Sequence, residues 1–198
     1  MLDMTSGSAT DGRRARGDAS RRTVARTAAG IATTHGLDSI TVGSLAKATG
    51  LSKSGILTVF GTREAIQMAA VAEARRLYIQ TVIAPAWNHE PGRPRLQALL
   101  NCWVDYLRAG IFPGGCFITA TAAEYGHRDG HVADAVRALK REWLDLLESE
   151  LKAAGARDPE EDAFRIDALL SAANVHRELF GSERELDRAR DLAREIIG

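Results

Sequence analysis

Residues 41–64 read TVGSLAKATGLSKSGILTVFGTRE. Thr41 is a good N-cap, and Val42, Leu45 and Ala46 behind it share one helical face. Gly50 ends that helix and makes a turn. Ser52 caps a second short helix over about 53–60, with Ile56 and Phe60 inward at i, i+4 spacing and Leu51 and Val59 supporting them. Thr62 caps a third helix, with Glu64 in its first turn, where negative charge is favoured. The stretch predicts two short helices joined by a tight turn and followed at once by a longer one.

Working outward, residues 20–35 show Val24, Ala28, Ile31, Ala32 and His35 on one face, so a first helix is expected from about Ser20. Gly36 stops it, and Leu37 and Ile40 return the chain to the core. Residues 1–19 are small and polar, with Arg13, Arg14 and Arg16 among Gly and Asp. They read as a disordered basic arm, either adding phosphate contacts or serving as a floppy tail. Beyond residue 62 the apolar spacing stays helical: a long helix ending near Pro85, one from Pro94 to about Leu107, a short one over 117–125, and others over about 132–154, 160–180 and 183–197. The fold class is all-α, with about nine helices. A three-helix helix-turn-helix domain is expected over 20–66 and a larger helical domain over 67–198.

Apolar residues make up 45% of the 198, enough for a core, and no apolar run approaches the roughly 18 residues of a membrane span. The polar start is unlike a secretory signal, and Cys102 and Cys116 are too few for a disulfide scaffold, so a cytoplasmic protein is expected. The zero net charge hides a split. Residues 1–61 carry eight basic and four acidic side chains, a net of +4, and residues 62–198 carry 18 and 22, a net of −4. A basic end on an acidic body points to a polyanion at the first part, although a solvated surface gives the same count.

A helix-turn-helix puts its second helix into the major groove. Here that helix shows Lys53, Ser54, Gly55 and Thr58 outward, small polar groups suited to close approach, with Leu57 beside them. Lys53 reaches a phosphate or a guanine, and Thr58 offers either hydroxyl or methyl. The N-termini of the first and third helices of this stretch, at Thr41, Val42 and Gly43 and at Thr62, Arg63 and Glu64, offer free N–H groups to phosphates, Ser52 stands at the start of the helix between them, and Arg22, Lys47 and Arg63 add charge. The plainer reading makes GLSKSG a turn between two core helices.

These residues resemble the N-terminal DNA-binding domain of the TetR family of transcriptional regulators. The resemblance rests on HGLDSITV, LAKATGLSKSGI and FGTREAI and covers roughly residues 20–70. The remainder matches in layout, and IFPGGCF resembles a segment of one branch. The family usually has Tyr where this chain has Leu57, and often His at Val59. Those groups meet the DNA backbone, so the two contacts do not carry over, and Leu57 either touches a thymine methyl or packs inward. Arg63 matches the usual Lys, which implies a phosphate contact.

The resemblance implies a homodimer on a palindromic operator, most often a repressor, released by a small-molecule effector, here apolar or aromatic. The sequence holds no G-x-S-x-G, Walker loop or His-Glu-x-x-His motif and no clear nucleophile and base pair, so no enzyme activity and no cofactor are expected. The dimer interface would come from the last two helices: Leu169, Leu170, Ala173, Arg177, Phe180, Leu186, Ala189, Leu192 and Ile196. The effector pocket is expected among helices 4–8, lined by Tyr78, Trp103, Tyr106, Cys116, Phe117, Thr121, Trp143 and His176, each of which also fits a plain core position. Glu124, His127, Asp129 and His131 surround a turn and are of metal-ligating types, but Gly126 and Gly130 break the helix that would order them, so no metal is expected. The two cysteines read as buried structural thiols ahead of a redox pair. Alternatives of other classes are an enzyme using the same helical pocket, with Glu124 or His176 as base, and a dimeric protein-binding adaptor.

Overall fold

The computed structural model describes residues 7–198, with side chains from Gly17 onward; residues 1–6 and the side chains of Arg13, Arg14 and Arg16 lie outside that description. Among the described residues there are nine α-helices and no strand. They are α1 (Gly7–His35), α2 (Val42–Thr49), α3 (Lys53–Phe60), α4 (Arg63–Tyr78), α5 (Arg93–Arg108), α6 (Phe117–Tyr125), α7 (His131–Ala153), α8 (Pro159–Phe180) and α9 (Arg184–Ile197). None is long and apolar enough to cross a membrane.

α1 starts at Gly7, well before the expected Ser20. Gly12 and Gly17 weaken a helix by about 1 kcal/mol each relative to Ala. The Ala and Arg residues around them are strong helix formers and continue it.

α1, α2, α3 and the first half of α4 enclose a small core of Val24, Ala28, Leu37, Ile40, Leu45, Ile56, Phe60 and Ile66, all buried. α1 and α4 are in extensive contact, and α4 runs on into the larger body against α7. Its end widens into a π-helical turn, Ile79–Ile83, before a last turn, Ala84–Ala86. Pro85 has no N–H for the carbonyl four residues back and its ring crowds that carbonyl, so widening the helix just before it relieves the conflict.

The second body is a stack of α5, α7, α8 and α9, with Leu99, Leu100, Leu107, Leu147, Leu151, Ile166 and Leu186 at its centre. The 87–92 loop is pinned to α7. Glu150, buried, accepts hydrogen bonds from Gly92 N–H (2.7 Å) and Arg95 Nη1 (2.9 Å), while the Arg95 guanidinium lies 4.4 Å from the Trp87 ring centre. The 110–116 segment wedges between the two bodies. Gly114 donates to Thr33 Oγ1 at 3.1 Å, and a Cβ on Gly114 would sit 2.0 Å from the Thr33 carbonyl oxygen, so only glycine fits there. Cys116 N–H donates to Asn174 Oδ1 of α8 at 2.9 Å.

Candidate nucleic-acid interface and interior pocket

The turn and its flanks are built by local caps. Thr41 Oγ1 accepts from Ser44 N–H (3.0 Å) and Ser44 Oγ accepts from Thr41 N–H (3.1 Å), a reciprocal capping box closed by serine. Gly50 sits at φ 72° in the left-handed region, and Ser52 Oγ and Thr62 Oγ1 cap α3 and α4 through Gly55 N–H (3.0 Å) and Ala65 N–H (3.1 Å). Ile56 and Phe60 are buried; Lys53, Ser54, Gly55, Leu57 and Thr58 are exposed. Leu57 therefore points outward, 46% exposed. From Ile40 to Arg63 there is no acidic residue and three basic ones, Lys47, Lys53 and Arg63. Arg22, Lys47, Thr41 and Thr62 are exposed around this surface, with Val42 half-buried.

One cation that the sequence left without a role fixes the reading helix. Arg21 Nη1 of α1 donates to the Val59 carbonyl at 3.2 Å, and its guanidinium lies 4.9 Å from the Phe60 ring centre. It sits at the negative end of α3, where a cation is favoured. Arg63 is partly committed elsewhere. Its Nε donates to the Ile40 carbonyl at 3.1 Å, Nη2 donates to the Asp38 carbonyl, and the Asp38 carboxylate is 3.7 Å away. The phosphate role expected of it therefore competes with a bracing role within the chain.

Glu124 is no metal ligand here. Its carboxylate accepts from Leu37 N–H (2.7 Å) and Asp38 N–H (3.0 Å), capping the 3-10 turn Leu37–Ser39 between α1 and α2. Among the described residues no group of three or more His, Cys, Asp or Glu converges on a metal position. Gly36, at φ 86°, lets the carboxylate in: a Cβ there would lie 3.0 Å from Glu124 Oε1. Tyr125 hydroxyl donates to Asp38 Oδ1 at 2.9 Å, Gln67 Nε2 donates to the Leu37 carbonyl at 3.0 Å, and Arg128 pairs with the Asp38 carboxylate. The end of α6 is thus bonded directly to the turn that leads into α2.

The other end of α6 lines an interior pocket. Its walls are Ala74, Arg75 and Tyr78 of α4, Ile79 and Ile83 of the π-helical turn, Tyr106 of α5, Phe117 and Ile118 of α6, and Leu139, Glu142 and Trp143 of α7. The enclosed volume is about 30 Å³, room for a water or two. Tyr78 stands edge-on to Tyr106 (5.5 Å, 82°) and to Trp143 (5.6 Å, 89°). Burial pushes both tyrosine hydroxyls well above their usual range, so they stay neutral. Arg75 and Glu142, about half exposed, pair at 2.8 Å at the rim.

Of the expected lining, Tyr78, Tyr106, Phe117 and Trp143 come together, and Trp103, Cys116, Thr121 and His176 do not. Trp103 is core, and Thr121 Oγ1 donates to the Phe117 carbonyl of its own helix at 2.8 Å. His176 is exposed on α8, edge-on to Phe180 at 5.4 Å. Cys102 and Cys116 are free thiols that burial pushes up, which leaves them poorly reactive.

The expected interface face of α8 and α9 also needs correction. Leu170, Ala173, Leu186 and Ala189 are buried inside this chain, where α8 and α9 pack on each other and on α7 and α5. Arg177 pairs with Glu178 at 2.6 Å, and Leu169 and Ile196 are half-buried. The apolar groups left in solvent are Phe164, Val175, Leu179, Phe180 and Leu192.

The family model described as tetracyclin repressor-like, C-terminal domain matches residues 92–193, more than half of the chain. The chain belongs to the TetR family of transcriptional regulators. Solved TetR-family structures share its fold. A regulator from Chloroflexus aurantiacus J-10-FL superposes with a TM-score of 0.82 at 24% identity, over 92% of this chain and 96% of that one. One from Streptomyces coelicolor gives 0.77 at 22% identity, over 90% and 94%. AibR, solved with isovaleryl coenzyme A and operator DNA, gives 0.68 at 17% identity, over 89% and 97%. No curated protein matches the chain in sequence. In this TetR-family chain the family model covers the pocket walls from α5, α6 and α7, while the α4 wall and the helix-turn-helix lie outside it.

Proposed function

We propose that this TetR-family chain is a homodimeric transcriptional repressor that binds a palindromic operator through α3 and releases it when a small apolar or aromatic effector enters the α4–α7 pocket. The observation that carries the reading is the capped α2–turn–α3 unit with its small exposed face in an acid-free, basic stretch. Residues 20–66 form the reading unit and 67–198 the effector and pairing body. AibR supplies a precedent for an effector and an operator on this fold.

Lys53 meets a phosphate or a guanine, and the amides at the starts of α2 and α4 meet phosphates. The exposed apolar groups of α8 and α9 meet a second copy. The pocket holds aromatic walls and no buried charge pair, which suits ligand capture better than acid–base catalysis, so a regulator is favoured over an enzyme. An effector has to widen the small pocket, pressing on Phe117 and Ile118 at one end of α6 while Glu124 and Tyr125 hold the α1–α2 turn at the other. DNA is released to the extent that the effector prefers the widened state. Such a regulator works in the cytoplasm.

The test is a gel shift with the intergenic DNA beside its own gene. Salt-sensitive, specific retardation is expected, weakened by Lys53→Ala with the helical spectrum intact. No specific retardation on that or neighbouring intergenic DNA refutes the reading.

A further inference from the structure

The hydroxyls of Ser52, Ser54 and Thr58 on the exposed side of α3 are engaged in contacts within the helix itself. Thr58 Oγ1 donates to the Ser54 carbonyl at 2.8 Å, which turns the Thr58 methyl away from the helix and ties up the hydroxyl proton. Ser52 Oγ accepts from Gly55 N–H at 3.0 Å and lies 3.2 Å from Ser54 Oγ. Leu57, next to Thr58, is 46% exposed although it is a large apolar side chain on an eight-residue helix. Residues 52–60 contain no Arg, Asn, Gln, Asp or Glu, the side chains that read bases by paired hydrogen bonds, and Lys53 is their one cation. The Val59 carbonyl is held by Arg21, so the C-terminal turn of α3 is braced against α1 with Leu57 and Thr58 outward.

In the major groove one base presents an apolar group: thymine, through its C5 methyl. We infer that Leu57 and Thr58 are specificity residues that read thymine methyl groups at adjacent steps of each operator half-site. This rests on the DNA-binding reading of α3 and names the base chemistry it takes. Such a face pairs sequence choice with methyl burial, and phosphate grip comes from Lys53 and the helix N-termini. A leucine here buries apolar area on DNA that otherwise stays in water, and a thymine methyl is the group that covers it.

The test uses the full-length chain and duplexes selected by it from a random library. Thymines are expected under α3 in each half-site. Replacing one by deoxyuridine, which removes only the methyl, should weaken binding about fourfold per half-site and about 16-fold when both carry it. Leu57→Ala should abolish the penalty at one position and Thr58→Ser at the neighbouring one. Thr58→Val keeps the methyl without the hydroxyl. It should bind the full two-half-site operator about 16-fold tighter than Thr58→Ser, about fourfold for each half-site, and retain the deoxyuridine penalty. Circular dichroism of each variant controls for folding, since both side chains are exposed. A selected site without thymine under α3, or one whose thymines all tolerate deoxyuridine, overturns the inference and leaves the repressor reading standing. Thr58→Val binding more weakly than Thr58→Ser overturns the methyl role of Thr58. Failure to enrich any sequence overturns the repressor reading, and this inference with it.

Discussion

Glu124→Ala removes one of the contacts that tie the end of α6 to the turn leading into α2. The wild-type carboxylate holds Leu37 N–H at 2.7 Å and Asp38 N–H at 3.0 Å. Hydrogen bonds to a charged acceptor contribute about 1.5–3 kcal/mol each when water is excluded. The Leu37 amide sits over a fully buried side chain and beside half-buried partners, so about 1.5 kcal/mol is appropriate there. The Asp38 amide is exposed and water replaces the lost acceptor, leaving about 0.5 kcal/mol. The sum, about 2 kcal/mol, corresponds to about a 30-fold change in an opening equilibrium. Two measurements check it. The urea midpoint should fall accordingly at fixed protein concentration, and amide exchange at Leu37 and Asp38 should accelerate about 30-fold, with little change at Leu45 or Ile56. Glu124→Gln keeps one acceptor and loses the charge, and should fall between parent and Ala. Unchanged exchange at residues 37 and 38 in the Ala variant would show that the turn is held by Gln67, Tyr125 and Arg128 without the carboxylate.

Glu150→Ala should cost about 3 kcal/mol in urea unfolding, because it strands the Arg95 guanidinium and the Gly92 amide in a buried site; a loss under 1 kcal/mol would mean that the loop is held by the His89 carbonyl, which accepts from Arg95 Nε at 3.1 Å, and by Trp87. Tyr78 and Tyr106 have folded pKa values raised above the unfolded value, so their contribution is complete below about pH 10 and is lost as pH rises further. Tyr78→Phe should therefore show a shallower alkaline decline in stability than the parent, measured as the difference between their denaturation midpoints from pH 8 to 11. Leu179→Glu, on the exposed face of α8, should leave the monomer folded by circular dichroism and shift light scattering from two copies to one. Dimers that persist in this variant would put the pairing surface elsewhere.

How much of this was legible beforehand depends on distance along the chain. Thr41, Ser52 and Thr62 cap the helices that follow them, and Gly50 takes the left-handed turn, because caps and stops act over three or four residues. The start of α1 was misjudged because glycines and serines dilute a pattern that Ala and Arg sustain. The capping role of Glu124 is not legible in the sequence, because its partners, Leu37 and Asp38, are more than 80 residues away. Arg21 went unassigned for the same reason, its acceptor Val59 being 38 residues on.

The fold class, the helix register and the helix-turn-helix were decided by the sequence itself, since each rests on local periodicity and capping. Which face of α8 meets the chain's own core was decided only by tertiary packing. Both of its faces are apolar, and helical spacing alone cannot say that Leu170 goes inward while Leu179 and Phe180 stay in solvent. The pocket was decided the same way. Tyr78, Tyr106, Phe117 and Trp143 meet there because four helices cross at one point, whereas His176 lies on a helix that turns its other side to that crossing. Leu57 lies on the exposed side of α3 because Ile56 and Phe60 take its buried side and Val59 packs partly against the same core.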